Sequence, residues 1–205
     1  MTTKFHTSLL ILLFSIFCLN MYAENVMNLI WESQGEHPDS EYGSSMTSMD
    51  YNGDGIDDLV VGSDRYSPDG NPWQRGKVYF YYGGDDFSTT PNLTITGTPG
   101  MHIGKSLHNF GDVNGDSYDD LGLYWNHSGL TDSLYTIEIY YGGTACDTIP
   151  DFSYNILRGS GDDAVDVFTS LYPIGDVNGD GFSDAGYVLQ GVYPQNPYSR
   201  FFIIY

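Results

Sequence analysis

Gly175 to Asp184 reads GDVNGDGFSD, and the same phrase is written twice more, as GDVNGDSYDD from Gly111 to Asp120 and DYNGDGIDD from Asp50 to Asp58. The first aspartates stand at 50, 112 and 176, a period of 62 and then 64 residues. A repeat of that length marks stacked modules, each one supersecondary unit.

Oxygen side chains at the first, third, fifth and ninth positions of such a loop can converge on one hard cation. In the first copy these are Asp50, Asn52, Asp54 and Asp58, with the backbone carbonyl of Ile56 at the seventh position. The second set is Asp112, Asn114, Asp116, Asp120 and the carbonyl of Tyr118; the third is Asp176, Asn178, Asp180, Asp184 and the carbonyl of Phe182. Calcium takes about six to eight oxygens, so water would complete each shell, and up to three Ca2+ ions are expected. Gly55 and Gly181 hold the sixth position, where the chain turns sharply and a positive φ costs glycine nothing. Ser117 stands there in the second copy. A non-glycine residue in that conformation costs roughly 1–2 kcal/mol, which makes the middle loop the expected weakest site. An Asx-rich turn that binds nothing explains one such loop; three in phase argue for metal.

Residues beyond the ninth position separate the loop families that share this opening. An EF-hand requires a bidentate glutamate at position twelve, where this chain has Val61, Leu123 and Tyr187. A dockerin-like repeat wants an acidic ligand there and then a helix. The runs in this chain, DLVVG, DLGLYW and DAGYVL, are too short to make a helical face and read as strands.

The modules superpose beyond the loop. NLIWESQG from Asn28, NLTITGTPG from Asn92 and SYNILRGSG from Ser153 precede the three loops; KVYFYYGG from Lys77, YTIEIYYGG from Tyr135 and RFFIIY from Arg200 come after them. With the segment leading into each loop, this makes four strands per module. The predicted fold is all-β, a β-propeller of four-stranded blades with repeats at about 28–84, 92–143 and 153–205. The aromatic strands are apolar on both faces, as in a sheet sandwiched between two neighbours. Propellers close with about four to eight blades, so three imply an incomplete ring, finished by further blades or by self-association.

The amino terminus, MTTKFHTSLLILLFSIFCLNMYA, has a lone Lys4 before an apolar run from Leu9 to Leu19 and reads as a signal peptide over 1–23. An uncleaved membrane anchor is the alternative. Cleavage would leave Cys146 as the sole cysteine, so no internal disulfide forms although export permits one. The chain has 27 acidic against 7 basic residues and a formal charge of −20, becoming −21 once Lys4 is lost. Such a surface disfavours nucleic acid and anionic membranes, and no membrane insertion is expected after cleavage.

Together these residues resemble the FG-GAP repeats that build the β-propeller of integrin alpha chains and of many secreted bacterial proteins. Tyr42-Gly43 and Ile103-Gly104 match the aromatic-glycine pair before the calcium loop, and Gly62-Ser63 partly matches the small turn after the next strand. Val167-Phe168 replaces the first element in the third repeat, and Tyr124-Trp125-Asn126 and Val188-Leu189-Gln190 replace the later turn. The resemblance implies a calcium-stiffened, extracellular binding or adhesion module.

No Ser, His and acid constellation stands out, and the histidines at 6, 37, 102, 108 and 127 lack metal spacing. Asn92-Leu93-Thr94 and Asn126-His127-Ser128 fit glycosylation acceptors. Two function classes remain. The first is a secreted or cell-surface, non-catalytic calcium-binding propeller that recognises a protein or glycan. The second is an accessory propeller of a secreted enzyme such as a polysaccharide lyase or phospholipase, and a catalytic domain encoded downstream would favour it. The first is preferred because every sharp motif goes to structural calcium. Partner recognition is expected opposite the calcium loops, on Ser63–Gly76, Asn126–Ser133 and Gln190–Tyr198, through Tyr66, Trp73, Tyr193 and Tyr198, with Trp125 at the edge.

Overall fold

A computed structural model describes residues 31–70, 73–85, 87–126, 135–156, 166–191 and 198–205. The chain divides after Glu32, and the second unit, Ser33–Tyr205, is compact. The leader expected over 1–23 and the opening of the first repeat at Asn28 lie outside the described residues.

The regular structure described in the second unit is β throughout. The first sheet is β1 (Tyr42–Met49), β2 (Asp58–Ser63), β3 (Lys77–Tyr81) and β4 (Leu93–Thr96). The second is β5 (Leu107–Asn109), β6 (Leu121–Asn126), β7 (Tyr135–Tyr140) and β8 (Phe152–Ile156). The third holds β9 (Asp166–Gly175), β10 (Asp184–Gly191) and β11 (Arg200–Ile204). Each sheet is an antiparallel meander in chain order, and none closes on itself. This is an open all-β propeller array of short blades.

The blade and the sequence repeat differ by one strand. The segments at Asn92 and Ser153 open the second and third repeats in the sequence, yet they supply β4 and β8, the outer strands of the preceding sheets. A side-chain cap closes each of these hairpins. Asn92 Oδ1 accepts the Tyr82 N–H (2.9 Å) while the Asn92 N–H donates to Phe80 O (2.8 Å). Asp151 does the same for Tyr141 and Ile139, at 2.8 and 2.9 Å.

Two apolar layers lie between the sheets. Met49, Val60, Val78 and Phe80 of the first blade meet Leu107, Leu121, Leu123 and Trp125 of the second. Phe110, Ile137 and Ile139 on the other face of the second blade meet Leu171, Ala185, Tyr187 and Leu189 of the third. Strand alternation sends successive residues of β6 and β7 into the two layers, so a strand buried on both sides is apolar throughout. β3 is also buried at every position, with Val78 and Phe80 toward the second blade and Tyr79 covered on the other face by Tyr42 and Lys77.

The aromatic-glycine and small-turn elements meet across the first interface. A Cβ on Gly62 would overlap Gly104 O, and one on Gly104 would crowd Ser63 N and Gly62 Cα. Gly104 has φ 86°, and its carbonyl accepts the Ser45 hydroxyl at 2.7 Å. Glycine is therefore required on both sides of this contact.

Candidate functional site

Each of the three nine-residue loops joins the first strand of its blade to the second, and each folds through the same side-chain-to-amide bonds. Asp50 Oδ1 accepts the N–H groups of Gly53 (2.9 Å) and Asp54 (3.0 Å), and Asp50 Oδ2 accepts that of Gly55 (2.9 Å). Asp112 holds Gly115, Asp116 and Ser117 in the same way, and Asp176 holds Gly179, Asp180 and Gly181. The third-position Asn Oδ1 accepts the fifth-position N–H, at 2.9 Å in the first loop and 2.8 Å in the others. The fifth-position Asp Oδ1 accepts the amide of Ile56, Tyr118 or Phe182 at 2.9–3.0 Å. Short polar side chains reach backbone amides two to five residues ahead, so the local sequence alone specifies this coil.

The ninth aspartate anchors the loop to the blade. Asp58, Asp120 and Asp184 are 1%, 0% and 2% exposed. Their Oδ2 atoms accept the amides of Tyr51 (3.1 Å), Val113 (2.8 Å) and Val177 (2.9 Å). Asp58 Oδ1 and Asp120 Oδ1 also accept Gly83 and Gly142 N–H, at 2.8 and 2.9 Å, which ties each loop to the glycine pair after its aromatic strand. Burial pushes the Asp58 and Asp120 carboxyls above the usual range, Asp120 to about 6. The amide bonds pull down against this, while Asp54 beside the first, and Asp116 and Asp112 beside the second, push further up.

Among the described residues, no group of three or more His, Cys, Asp or Glu side chains is gathered as a metal cluster. The loop carboxylates are turned onto the loop's own amides. In all three loops the Asn Nδ2 donates to the fifth-position carboxylate, at 3.2, 2.9 and 2.9 Å, and Asn52 Nδ2 also reaches Asp58 Oδ1 at 3.4 Å. The positive end of an amide dipole thus stands among the carboxylates. Three carboxylates and one amide carbonyl per loop form an all-oxygen donor set, the kind that suits a hard cation. Asp58 and Asp120, carboxyls held in buried surroundings with no cationic side chain bonded to them among the described residues, fit the same chemistry.

The aromatic residues expected at a ligand surface divide. Trp73 and Tyr198 are 49% and 74% exposed. Tyr66 is buried: its ring lies 4.8 Å from Lys77 Nζ and edge-on to His37, while Lys77 also pairs with Glu36 at 2.7 Å. Trp125 is buried in the layer between the first two blades, because it lies in β6 on the same face as Leu121 and Leu123. Neither serves as an exposed anchor. Tyr193, and most of the loops containing 127–133 and 192–197, lie outside the described residues.

Asp119 is a residue that reading each loop in isolation does not single out. Its Oδ2 accepts the Asp50 N–H of the preceding loop (3.2 Å) and Asn109 Nδ2 (2.9 Å), and Asn109 Nδ2 also reaches Ser48 O at 3.1 Å. The available signal was its place at the eighth position, next to the buried ninth aspartate. Cys146 is a free thiol whose Sγ donates to Gly143 O at 2.7 Å.

Residues 50–123 match the model of an FG-GAP-like repeat. The chain is 33% identical to integrin alpha-5 of Xenopus laevis over 98 residues, 46% of this chain and 9% of that protein. It is 25% identical to integrin alpha-4 of Xenopus laevis over 167 residues, 80% of this chain and 16% of that protein. It is 31% identical to integrin alpha-PS2 of Drosophila melanogaster over 106 residues, 48% and 7% of the two chains. The chain spans only a small fraction of the length of these relatives.

Proposed function

We infer, from an integrin-alpha-like propeller segment with an FG-GAP-like repeat, that the chain is a non-catalytic, calcium-stiffened module for adhesion or ligand recognition outside the cell. The observation that carries this reading is the threefold recurrence of one loop, coiled by the same amide bonds and closed by a buried aspartate. Asp50, Asn52, Asp54 and Asp58, with their counterparts in the other two loops, would hold the ions through side-chain oxygens. The carbonyls of Ile56, Tyr118 and Phe182 would add a backbone ligand to each. Calcium supplies positive charge that offsets the crowded carboxylates, and the chain's own amides keep the carboxylates oriented.

A leader over 1–23 would export the chain in keeping with this reading, and the resemblance to integrin alpha subunits supports it. Among the described residues the exposed Trp73 and Tyr198 are candidates for contact with an extracellular protein or glycan, and Tyr193, outside them, stays a candidate beside them. Metal bound only by the folded state raises stability by about 2.7 kcal/mol per site when calcium is a hundredfold above Kd. Calcium is therefore expected to raise the Tm of the mature chain and chelator to lower it. A melting curve that ignores both overturns the calcium reading. A glycan-array and protein pull-down screen, run with and without calcium, tests recognition; no calcium-dependent partner would overturn it.

A further inference from the structure

The seventh side chain of the second and of the third loop has a second address, on the loop of the blade before it. A Cβ built on Gly53, the fourth residue of the first loop, would overlap Cε1 and Cδ1 of Tyr118. Gly115 stands in the same relation to the Phe182 ring of the third loop. Both glycines have a positive φ, 76° and 82°, and both donate their N–H to the first aspartate of their own loop, at 2.9 and 2.6 Å. The ring therefore presses on the peptide that orients Asp50 or Asp112. On its other side the Tyr118 ring meets the glycine pair of its own blade, 3.6 Å from a Cβ built on Gly143.

The eighth residue adds a polar contact at each junction. Asp119 Oδ2 accepts the Asp50 N–H at 3.2 Å, and the Ser183 N–H donates to Asp112 O at 2.8 Å. Gly143 N–H reaches back to Tyr51 O at 2.7 Å. A ring on the fourth glycine and a hydrogen bond at the first aspartate thus occur at both blade junctions. Gly179, the corresponding glycine of the third loop, has nothing within 4 Å of its Cβ direction.

We propose that the Tyr118 and Phe182 rings are positioning residues for the calcium sites of the preceding blades, so that each site's affinity is set in part by the next loop. The inference rests on the reading of these loops as calcium sites. Clamping the glycine holds the amides that hold the first aspartate, so less ordering remains to be done when the ion binds. The supporting ring always comes from the following loop, the third loop serving the second and the second serving the first.

The test is a calcium titration of the full mature chain followed by the amide resonances of Gly53, Gly115 and Gly179, which report the three loops separately. Phe182→Ala is the first variant, because a ring that is 41% exposed can be removed without emptying the core. It is expected to raise the Kd read at Gly115 about tenfold, the usual loss when an outer-shell support of a metal site is removed. The Kd read at Gly53 should stay within about twofold, as for sites that share no partner. Tyr118→Ala should weaken the Gly53 site in the same way, and Phe182→Tyr and Tyr118→Phe, which keep the rings, should restore tight binding. An unchanged Kd at Gly115 in Phe182→Ala, or equal weakening at all three glycines, overturns the coupling and leaves the calcium reading intact. If no loop glycine shifts with calcium in the unaltered chain, the calcium reading falls and takes the coupling with it.

Discussion

Ser117 holds φ 72° at a position where the other two loops use Gly55 and Gly181 with φ 84° and 96°. The loop geometry is thus maintained against the residue's own preference, and Asp112 Oδ2, which accepts the Ser117 N–H at 2.8 Å, is part of what maintains it. Ser117→Gly relieves that strain and is expected to stabilise the chain by about 1 kcal/mol, read as a higher urea midpoint. A lower midpoint would show that the serine side chain makes a compensating contact. Asp120 poses the opposite case. It is fully buried, and its two oxygens satisfy the amides of Val113 and Gly142. Asp120→Ala strands both donors and should cost about 3 kcal/mol, even in chelator, where calcium plays no part. A loss confined to calcium-loaded protein would assign Asp120 a purely metal-binding role.

At the scale of the strand, β5 is the shortest of the set and carries His108, whose ring lies beside Phe110 and shares a hydrogen bond of 2.7 Å between Nε2 and Ser106 Oγ. Burial pulls its pKa below the usual imidazole value of 6.5. The unfolded chain then binds the proton first as pH falls, so stability is lost from about pH 6.5 downward until the folded ring also titrates. His108→Gln removes that contribution. The variant's Tm should fall less steeply than the parent's between about pH 7 and pH 5. Parallel slopes would mean that the second blade tolerates the imidazolium.

Across the molecule, equal positions in the repeat carry unequal weight. Phe80 pairs with Val60 in the first sheet, Ile139 with Gly122 in the second, and Ile203 with Gly186 in the third. Phe80 is 0% exposed, inside the layer made with the second blade, and its ring lies 4.7 Å from that of Tyr51. Ile203 is 38% exposed on a face that also presents Phe201, at 54%. Phe80→Ala should cost about 3–5 kcal/mol. Ile203→Ala should cost only about 1 kcal/mol, since less apolar area is withdrawn from water. Equal losses in denaturant unfolding would mean that the outer face of the third sheet is covered in solution.

Local chemistry made the loops and the strands legible. Aspartate and asparagine bond amides a few residues away, so their spacing specifies the coil without help from the rest of the chain, and the sequence alone marks Ser117 as the strained position. Apolar runs on both faces of KVYFY and YTIEIY announced sheets buried on two sides. Pairing between distant segments was not legible. The sequence at Asn92 looks like the start of a repeat, but a hairpin cap and a free edge on β3 place it in the earlier blade. Burial of Tyr66 and Trp125 depended on Lys77 and on the neighbouring blade, which no loop position encodes. The rings of Tyr118 and Phe182 look like ordinary variation at a position expected to lend only its carbonyl, until stacking brings a glycine of the previous loop beneath them. Contacts between repeats arise only once the sheets are packed, and this is why the tertiary structure alone decided them.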